Sequence, residues 1–243
     1  MKKIWNTSNH LKMISIIIPT YNEAEQIEHT INKTLMANGK EEIEIIVVDG
    51  GSTDDTINIA EQCGAIVVTS ARKGRAAQMN VGASMAKHDL LYFLHADSIP
   101  PDNFTSQILK ANKDEILSGC FRLTFDYNHW FLKANVWFTR FNVNAVRFGD
   151  QSLFVTKDIF RKSGGFREDL LMMEDQEIIH RIRKFGTFMV LNDVVSTSAR
   201  KYLDNGVYRM QGIFYMLWGL YYLGYSQEKL VQLHKRLIKN NKI

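Results

Sequence analysis

The stretch KGRAAQMNVGASMAKHDLLYFLHADSIP, residues 73–100, indicates the fold class of this chain. Its first half has the pattern of an amphipathic helix over residues 75–86, and its second half contains the continuous apolar run 90–94. Such a run is typical of a strand that is buried on both faces, as in parallel sheets. His95 and Asp97 follow this strand directly. Because open α/β sheets bind ligands at the carboxyl ends of their strands, the two residues predict a binding site. The alternative is a polar strand end that turns into solvent.

Strand and helix patterns alternate through the first hundred residues. Apolar and β-branched runs predict strands over residues 13–18, 44–48, 66–69 and 89–94. Helices are predicted over residues 54–63 and 75–86, and a first helix, capped by Asn22, is predicted to place Ile27, Ile31 and Leu35 on one face. This order implies a parallel sheet with right-handed crossovers, which is the architecture of a nucleotide-binding half.

Composition favours one cytoplasmic domain with no nucleic-acid partner. A length of 243 residues with 45% hydrophobic content fits one domain, or one domain with a helical appendage. The net charge of +4 is mild, and the dense basic stripe of a nucleic-acid binder is missing. Cys63 and Cys120 have neither metal nor redox spacing, so we expect buried thiols in a reducing cytoplasm. The first 13 residues lack the apolar core of a signal peptide.

Two polar loops follow the first two strands, PTYNE at residues 19–23 and VVDGGSTDDT at residues 47–56. A glycine turn and a helix cap explain residues 50–55 but leave the Asp49 carboxylate unexplained. No G-x-G-x-x-G turn and no Walker loop follows any strand, so the phosphates of a bound nucleotide would need cations. A divalent metal on Asp97 and the Arg75 guanidinium are the candidates, with Arg72 as a weaker third.

Four motifs of the first half, in this order, resemble the nucleotide-sugar half of family 2 glycosyltransferases: PTYNE, VVDGGSTDDT, the G-R-A-x-Q-M-N-x-G helix and the HAD strand end. The segment GDQSLFVTKDIFRKSGGFREDLLMMEDQEIIHRIRKFG, residues 149–186, is similar to that family's acceptor half. The resemblance covers residues 14–200. It is closest to a small bacterial subfamily in which the metal motif begins with His instead of Asp.

This resemblance implies a GT-A fold, with a Rossmann-like, mostly parallel central sheet flanked by helices. Residues 1–243 would form a single domain with a nucleotide-sugar half at 14–100, an acceptor half at 101–200 and an aromatic helical segment at 201–243. The implied ligands are a UDP-sugar or GDP-sugar and Mg²⁺ or Mn²⁺. The donor-binding residues implied are Pro19, Thr20, Tyr21, Glu23, Asp49 for the base, Arg75 for the diphosphate, and Asp97. Separately, Arg200 at the end of a predicted late strand is a further candidate for the phosphates, and the alternative is that it is a surface residue.

The metal site implied by the resemblance is Asp97 together with His95. Asp97 matches the last carboxylate of the family's Asp-x-Asp motif. His95 stands where the family has the first Asp, so one anionic ligand is replaced by a neutral one.

Asp175 matches the catalytic base of inverting family members. The apolar spacing of Ile178, Ile182 and Phe185 predicts the buried face of a helix that starts near Glu174. Asp175 would lie in its first turn, where the helix dipole favours an ionised carboxylate. The alternative is that Glu174 and Asp175 are only favourable charges at a helix N-terminus.

The acceptor is predicted to be a lipid or a small molecule. Gly149, Asp150 and Gln151 are placed on the acceptor side by resemblance. Residues 213–225 are aromatic and apolar with basic flanks, and the run is too short to span a membrane. It either lies on the inner surface of the cell membrane or packs on the core or a second subunit, as in a homodimer. The aromatic stretch HWFLKANVWFTRF, residues 129–141, presents the same choice.

The leading function is an inverting, metal-assisted transfer of a sugar from a nucleotide-diphosphate sugar to an acceptor hydroxyl. A sugar-nucleotide nucleotidyltransferase is one alternative, but PTYNE is not the glycine-rich loop with which such enzymes normally begin. A non-catalytic sugar-nucleotide-binding protein is the other, and the presence of Asp175 argues against it.

Overall fold

The computed structural model describes residues 13–147 and 149–239. The strands are β1 Ile14–Thr20, β2 Ile43–Asp49, β3 Ile66–Thr69, β4 Leu90–Phe93, β5 Ser98–Ile99, β6 Ser118–Phe125, β7 Leu153–Thr156 and β8 Phe188–Thr197. The helices are α1 Ile27–Ala37, α2 Thr56–Gln62, α3 Arg75–Met85, α4 Phe104–Lys113, α5 Trp130–Trp137, α6 Lys157–Lys162, α7 Glu174–Ile182, α8 Arg200–Asn205, α9 Val207–Tyr222 and α10 Gln227–Leu237. Three short 3₁₀ turns lie at Phe138–Arg140, Asn144–Val146 and Gly149–Gln151.

The strands form one eight-stranded sheet in the order β3-β2-β1-β4-β7-β6-β8-β5. The first four strands of this order are mutually parallel, as predicted. The second half is mixed, because β7 runs antiparallel to both β4 and β6, while β6 and β8 are parallel and β5 is antiparallel to β8. Consequently β1, β2, β4, β6 and β8 all end at the same edge of the sheet.

Each face of the sheet is covered by its own apolar cluster. On one face, α1, α2 and α4 pack against alternate residues of β1 such as Ile16 and Ile18. On the other face, α3, α6 and α7 pack against Ile17 and its neighbours. A third cluster joins α5 to the helices α8, α9 and α10. Helices α3 and α7, whose first residues are Arg75 and Glu174, therefore lie on the same face.

Two predictions about helical faces are wrong. Leu35 is 45% exposed, and α1 buries Thr30 and Thr34 beside Ile27 and Ile31. Residues spaced by four drift around a helix with 3.6 residues per turn, so the third member leaves the buried face. Phe185 is 43% exposed because α7 ends at Ile182, before the periodic pattern reaches it.

Two further local predictions are also corrected. Asn22 does not cap α1, which begins at Ile27; its backbone is left-handed, with φ 53°, and its side chain accepts a hydrogen bond from the Thr53 amide. Arg200 is not on a strand, since β8 ends at Thr197 and Arg200 is the first residue of α8.

The predicted aromatic run corresponds to most of α9 and the turn after it. Met210, Gln211, Ile213 and Leu217 form the buried face of α9. Of the first 13 residues, which are predicted to hold no signal peptide, residues 1–12 lie outside the described part of the chain, as do residues 240–243. Within the described part of the chain, no helix is both long and apolar enough to cross a membrane.

Close packing of α3 on the sheet depends on Gly82. A Cβ at this position would overlap the Ile17 Cγ2 methyl and lie 3.1 Å from Val48 Cγ2. Both neighbours are fully buried strand residues and have little room to move. We therefore expect Gly82→Ala to lower the free energy of unfolding by about 1–3 kcal/mol, as overpacked cores do.

Gly219→Ala is the matched control. Gly219 is also helical, on α9, and a Cβ there would meet nothing within 4 Å. This change should be neutral or stabilising by up to about 1 kcal/mol, because alanine favours the helix. Urea denaturation of both variants measures the difference, and equal stability of the two proteins would contradict the packing argument.

Candidate active site

The loops that leave β1 and β2 are joined into one unit at the common edge of the sheet. The Asn22 amide donates to Ser52 Oγ at 2.8 Å, and the Thr53 amide donates to Asn22 Oδ1 at 2.8 Å. The Glu23 amide donates to Thr56 Oγ1, also at 2.8 Å. PTYNE and VVDGGSTDDT are therefore held together by hydrogen bonds between the two loops.

Within this unit, the predicted donor-binding residues differ in accessibility. Pro19 and Thr20 are the last residues of β1 and are buried. Tyr21 and Glu23, in the loop itself, are half-buried. Asp49 is fully buried, and its Oδ2 accepts hydrogen bonds from the amides of Gly51 at 2.7 Å and Ser52 at 2.8 Å. The Asp49 carboxylate thus organises the turn, a structural role that the sequence did not reveal.

Gln78, which the sequence analysis missed, fastens α3 to this edge. Its Nε2 donates to the carbonyl oxygens of Thr20 at 2.7 Å and Val48 at 2.8 Å, at the ends of β1 and β2. Gln78 is 3% exposed. A polar residue on the buried face of an amphipathic helix is the signal that could have identified it.

Arg75 and Glu174 form an ion pair across the cleft. Arg75 Nη2 lies 2.8 Å from Glu174 Oε1; the Arg75 side chain is 40% exposed and that of Glu174 only 1%. Burial, together with the charge of Asp175, raises the pKa of Glu174 to about 7 against the opposing effect of Arg75. The negative charge of Glu174 in turn raises the pKa of Arg75. Asp175 follows in the first turn of α7 and is half-buried.

His95 and Asp150 form a second pair, 2.8 Å apart between Nδ1 and Oδ1. Burial opposes the charged form of the His95 imidazole, but the hydrogen bond and charge of Asp150 outweigh it, and the His95 pKa is raised. Burial likewise opposes ionisation of Asp150, but the hydrogen bond and charge of His95 hold its pKa below the usual range. Asp150 comes from the 3₁₀ turn Gly149–Gln151, in the predicted acceptor half.

Asp97 lies close enough to this pair to interact with its charges. Burial raises the pKa of Asp97, and the negative charge of Asp150 raises it further, whereas Lys201 opposes the shift. Lys201 also helps to lower the pKa of Asp150. Sequence reasoning missed Lys201, which stands beside the predicted Arg200 in α8.

The donor set at this point fits a divalent cation shared with a ligand. Among residues 13–147 and 149–239, no group of three or more His, Cys, Asp or Glu side chains is arranged to hold a metal ion. Two carboxylates, Asp97 and Asp150, nevertheless repel each other's charge, and a hard cation would relieve this repulsion. Such ions are commonly held by one or two carboxylates and completed by phosphate oxygens. The predicted ligand His95 has its Nδ1 engaged with Asp150.

The structure brings the predicted base close to the predicted metal residues. Asp175, His95 and Ser152 line one small cavity of about 10 Å³. Arg200 stands further along the edge, with Nη2 3.2 Å from Glu23 Oε2 and Nη1 3.6 Å from Glu25 Oε2. Arg200 thus ties the start of α8 to the loop after β1.

Gln151, predicted on the acceptor side, is 1% exposed, and its Nε2 donates to the Phe121 carbonyl at 3.0 Å. This contact braces the turn that carries Asp150.

Comparison with known families matches residues 15–171 to the model described as glycosyl transferase family 2. This match covers more than half of the chain. The chain belongs to glycosyl transferase family 2. The predicted family is therefore confirmed, whereas the His-Ala-Asp subfamily and the three-part division of the domain stay predictions.

Solved structures of glycosyltransferases share the fold. TarS 1–349 of S. aureus in complex with UDP superposes with a TM-score of 0.66 at 18% identity, covering 76% of this chain and 60% of TarS 1–349. The mannosyltransferase PcManGT of Pyrobaculum calidifontis, in complex with GDP-Man and Mn²⁺, gives 0.66 at 18% identity over 82% of this chain and 59% of its own. These similarities confirm the predicted GT-A fold.

Curated relatives are longer than this chain. Glycosyltransferase AglE of Haloferax volcanii is 36% identical over 97 residues, which are 37% of this chain and 32% of AglE. An undecaprenyl-phosphate 4-deoxy-4-formamido-L-arabinose transferase of Proteus mirabilis is 25% identical over 139 residues, 53% of this chain and 42% of the relative. The matches therefore span less than half the length of these relatives.

Proposed function

We propose that this protein transfers a sugar from a nucleotide-diphosphate sugar to an acceptor hydroxyl. One observation carries the proposal: four charged side chains lie together at one edge of the sheet of this family 2 protein. They are the Arg75 cation, the Asp97 and Asp150 carboxylates and the half-buried Asp175. Arg75 suits a diphosphate, and Asp175 suits a proton acceptor.

The proposed chemistry is a single displacement with inversion. Asp175 accepts the proton of the acceptor hydroxyl as that oxygen forms a bond to the anomeric carbon of the donor. The bond between the anomeric carbon and the diphosphate oxygen breaks, and the nucleoside diphosphate departs with the electron pair. Asp175 lies in the first turn of α7, and a carboxylate is a side chain that can act as a general base. Arg75 stabilises the charge that develops on the leaving group.

Asp97 is the proposed metal-holding residue, with His95 beside it in the motif and Asp150 as a second carboxylate. A bound Mg²⁺ or Mn²⁺ would neutralise part of the negative charge on the departing diphosphate. The relation to PcManGT, which binds GDP-Man with Mn²⁺, supports this choice, although that similarity extends only to the fold.

A UDP-sugar or a GDP-sugar is the proposed donor class, since TarS is seen with UDP and PcManGT with GDP-Man. A lipid is the proposed acceptor. Two matched relatives, from Proteus mirabilis and Pseudomonas savastanoi, are named undecaprenyl-phosphate transferases. Their names support the lipid class alone, because a polyprenyl phosphate offers a phosphate oxygen where the proposed acceptor offers a hydroxyl.

An exposed aromatic face supports the apolar acceptor. It comprises Trp130, Trp137, Phe138, Phe141, Tyr208, Tyr215 and Tyr222, all at least 44% exposed. The rings come from α5 with the turn after it and from α9. The two helices touch through Phe131 and Tyr208, with ring centroids 4.9 Å apart, and through a hydrogen bond from Tyr215 to Asn135.

The charge around the aromatic face favours an anionic surface. Lys133, Arg140 and Arg209 are exposed on the same elements, and Arg140 lies over the Trp137 ring at 4.5 Å. Amphipathic aromatic rings with basic neighbours bind at the interface of anionic membranes. We therefore propose that this face rests on the cytoplasmic surface of the membrane, and a homodimer contact is the competing outcome of the test below.

The base assignment is tested with Asp175→Asn. The amide keeps the shape of the side chain but cannot take up the acceptor proton, so we expect turnover to fall by about two to four powers of ten with donor binding nearly unchanged. Single-turnover transfer at saturating donor measures this loss. Asp169→Asn, at an exposed position on the loop before α7, is the control and should keep normal activity. A near-normal rate for Asp175→Asn would move the base to another carboxylate such as Asp150.

The metal assignment is tested by measuring nucleoside diphosphate affinity with Mn²⁺ and with EDTA. Asp97→Ala should abolish the part of the affinity that the metal adds. His95→Asp should keep or increase it, because it adds a second carboxylate to the motif. Equal affinity of the wild-type protein in Mn²⁺ and in EDTA would refute the metal site.

The membrane assignment is tested by co-sedimentation with liposomes. The protein should pellet with anionic vesicles more than with neutral ones, and added salt should weaken this binding. Trp130→Ser combined with Trp137→Ser should reduce it, whereas Met36→Ser, at a 76% exposed position on α1, should not. The face would instead belong to self-association if two results are found together. The protein stays in the supernatant with every lipid, and it forms a dimer in solution that the double variant does not form.

A further inference from the structure

Glu174 is a buried carboxylate, and among the described residues Arg75 is its only charge partner within hydrogen-bonding distance. Its side chain is 1% exposed, and neither carboxylate oxygen has a hydrogen-bond partner of good geometry among the described residues. Arg75 Nη2, 2.8 Å from Oε1, supplies the compensating charge. A buried ionised group without such compensation is strongly unfavourable. Glu174 therefore depends on Arg75 for its charged form.

Arg75 is shared between Glu174 and the open cleft. Its side chain is 40% exposed, so the guanidinium can contact Glu174 with one part and a bound anion with another. Besides Glu174, the carboxylates whose charges act on it are Asp175, Asp150 and Asp97. The guanidinium is thus the cation around which the carboxylates of the site are gathered.

The pair also connects the two halves of the site. Arg75 begins α3, which follows β3, whereas Glu174 begins α7 and directly precedes the proposed base. Nearby contacts repeat this connection: Asn80 on α3 bonds both the amide and the carbonyl of Phe166, each at 2.9 Å. Glu174 is the buried member of this set of contacts.

Resting on the proposed function, we infer that Glu174 is a positioning residue for the donor, which holds the Arg75 guanidinium at the cleft wall and sets how much of its charge is available to the donor's diphosphate. The sequence suggested only a favourable charge at the helix N-terminus. The geometry points instead to the donor side.

This role links diphosphate binding to protonation of Glu174. The pKa of Glu174 is raised to about 7 by burial and by Asp175, while Arg75 and His95 favour its ionised form. An anion bound to Arg75 competes with ionised Glu174 and stabilises the protonated form, so binding takes up a proton. Diphosphate affinity should therefore be higher at pH 6, where Glu174 is protonated, and lower at pH 8, where it is ionised.

The test is calorimetric binding of UDP-glucose and GDP-mannose, whose diphosphates do not titrate between pH 6 and 8. Glu174→Gln keeps the shape and cannot ionise. At pH 8 we expect it to bind the better probe about fivefold more tightly than the wild type, as follows when binding raises the pKa of Glu174 from about 7 by about one unit. At pH 6 the two proteins should bind equally. In an Arg75→Gln background, the effect of Glu174→Gln should disappear.

Glu177→Gln is the matched control, because Glu177 lies in the same turn of α7 but pairs with Arg181. It should leave the pH dependence unchanged. A merely structural role of Glu174 predicts that Glu174→Gln binds the probe more weakly than the wild type at both pH values, or that its effect on binding is the same with and without Arg75. Either result overturns the inference. If Glu174→Gln does not fold, the wild type alone provides the test. Calorimetry at pH 7 in two buffers of different ionisation enthalpy measures its net proton uptake on binding the probe. Absence of this uptake also overturns the inference.

Failure of the proposed function has a different signature. A wild-type protein that binds none of UDP, GDP, UDP-glucose and GDP-mannose at either pH contradicts the donor class itself. A wild type that binds a probe with the same affinity as Glu174→Gln at both pH values contradicts only the role of Glu174.

Discussion

The ion pair between Arg75 and Glu174 is the interaction on which the organisation of the site depends. A buried carboxylate must be neutralised, and in the described part of the chain the cation that contacts Glu174 is Arg75, at the start of α3. Gln78, one turn later, fastens the same helix to the ends of β1 and β2. Contacts from two turns of α3 therefore fix the relative positions of three elements of the site. These are α3 itself, the loops after β1 and β2, and the helix that carries Asp175.

Charge at the edge of the sheet is distributed in pairs. Arg75 compensates Glu174, and His95 compensates Asp150, whereas the pKa of Asp97 stays raised by burial although the charges of Lys201 and His95 oppose the shift. After β4, the His95 imidazole thus holds the carboxylate of Asp150 from the 3₁₀ turn Gly149–Gln151, where an Asp side chain would instead add a carboxylate. A cation entering with a diphosphate would meet Asp97 first as the less well compensated group.

The parts of the molecule that sequence predicts well are those fixed by local periodicity. β3 was predicted at its observed bounds, and α3 to within one residue, because apolar patterning and flanking turns determine them. Asn22 was misassigned because a left-handed residue that bonds another loop looks like a helix cap in sequence. The positions of Asp97 and Asp175 were predicted from motifs, but the partners of Glu174 and His95 were not, since these contacts join residues far apart in the chain.

The C-terminal helices do more than present aromatic side chains. Gln227, at the start of α10, accepts hydrogen bonds from the amides of Leu171 and Met172, each at 3.0 Å, just before α7. Tyr222, at the end of α9, donates to Gln176 at 3.2 Å, within α7 itself. The chain on either side of Asp175 is thus braced by α10 and by α9, and α9 also contributes to the aromatic face. Because Tyr222 belongs to the aromatic face and also bonds Gln176, a lipid or protein surface on this face would meet a side chain that is hydrogen-bonded to the helix of the proposed base.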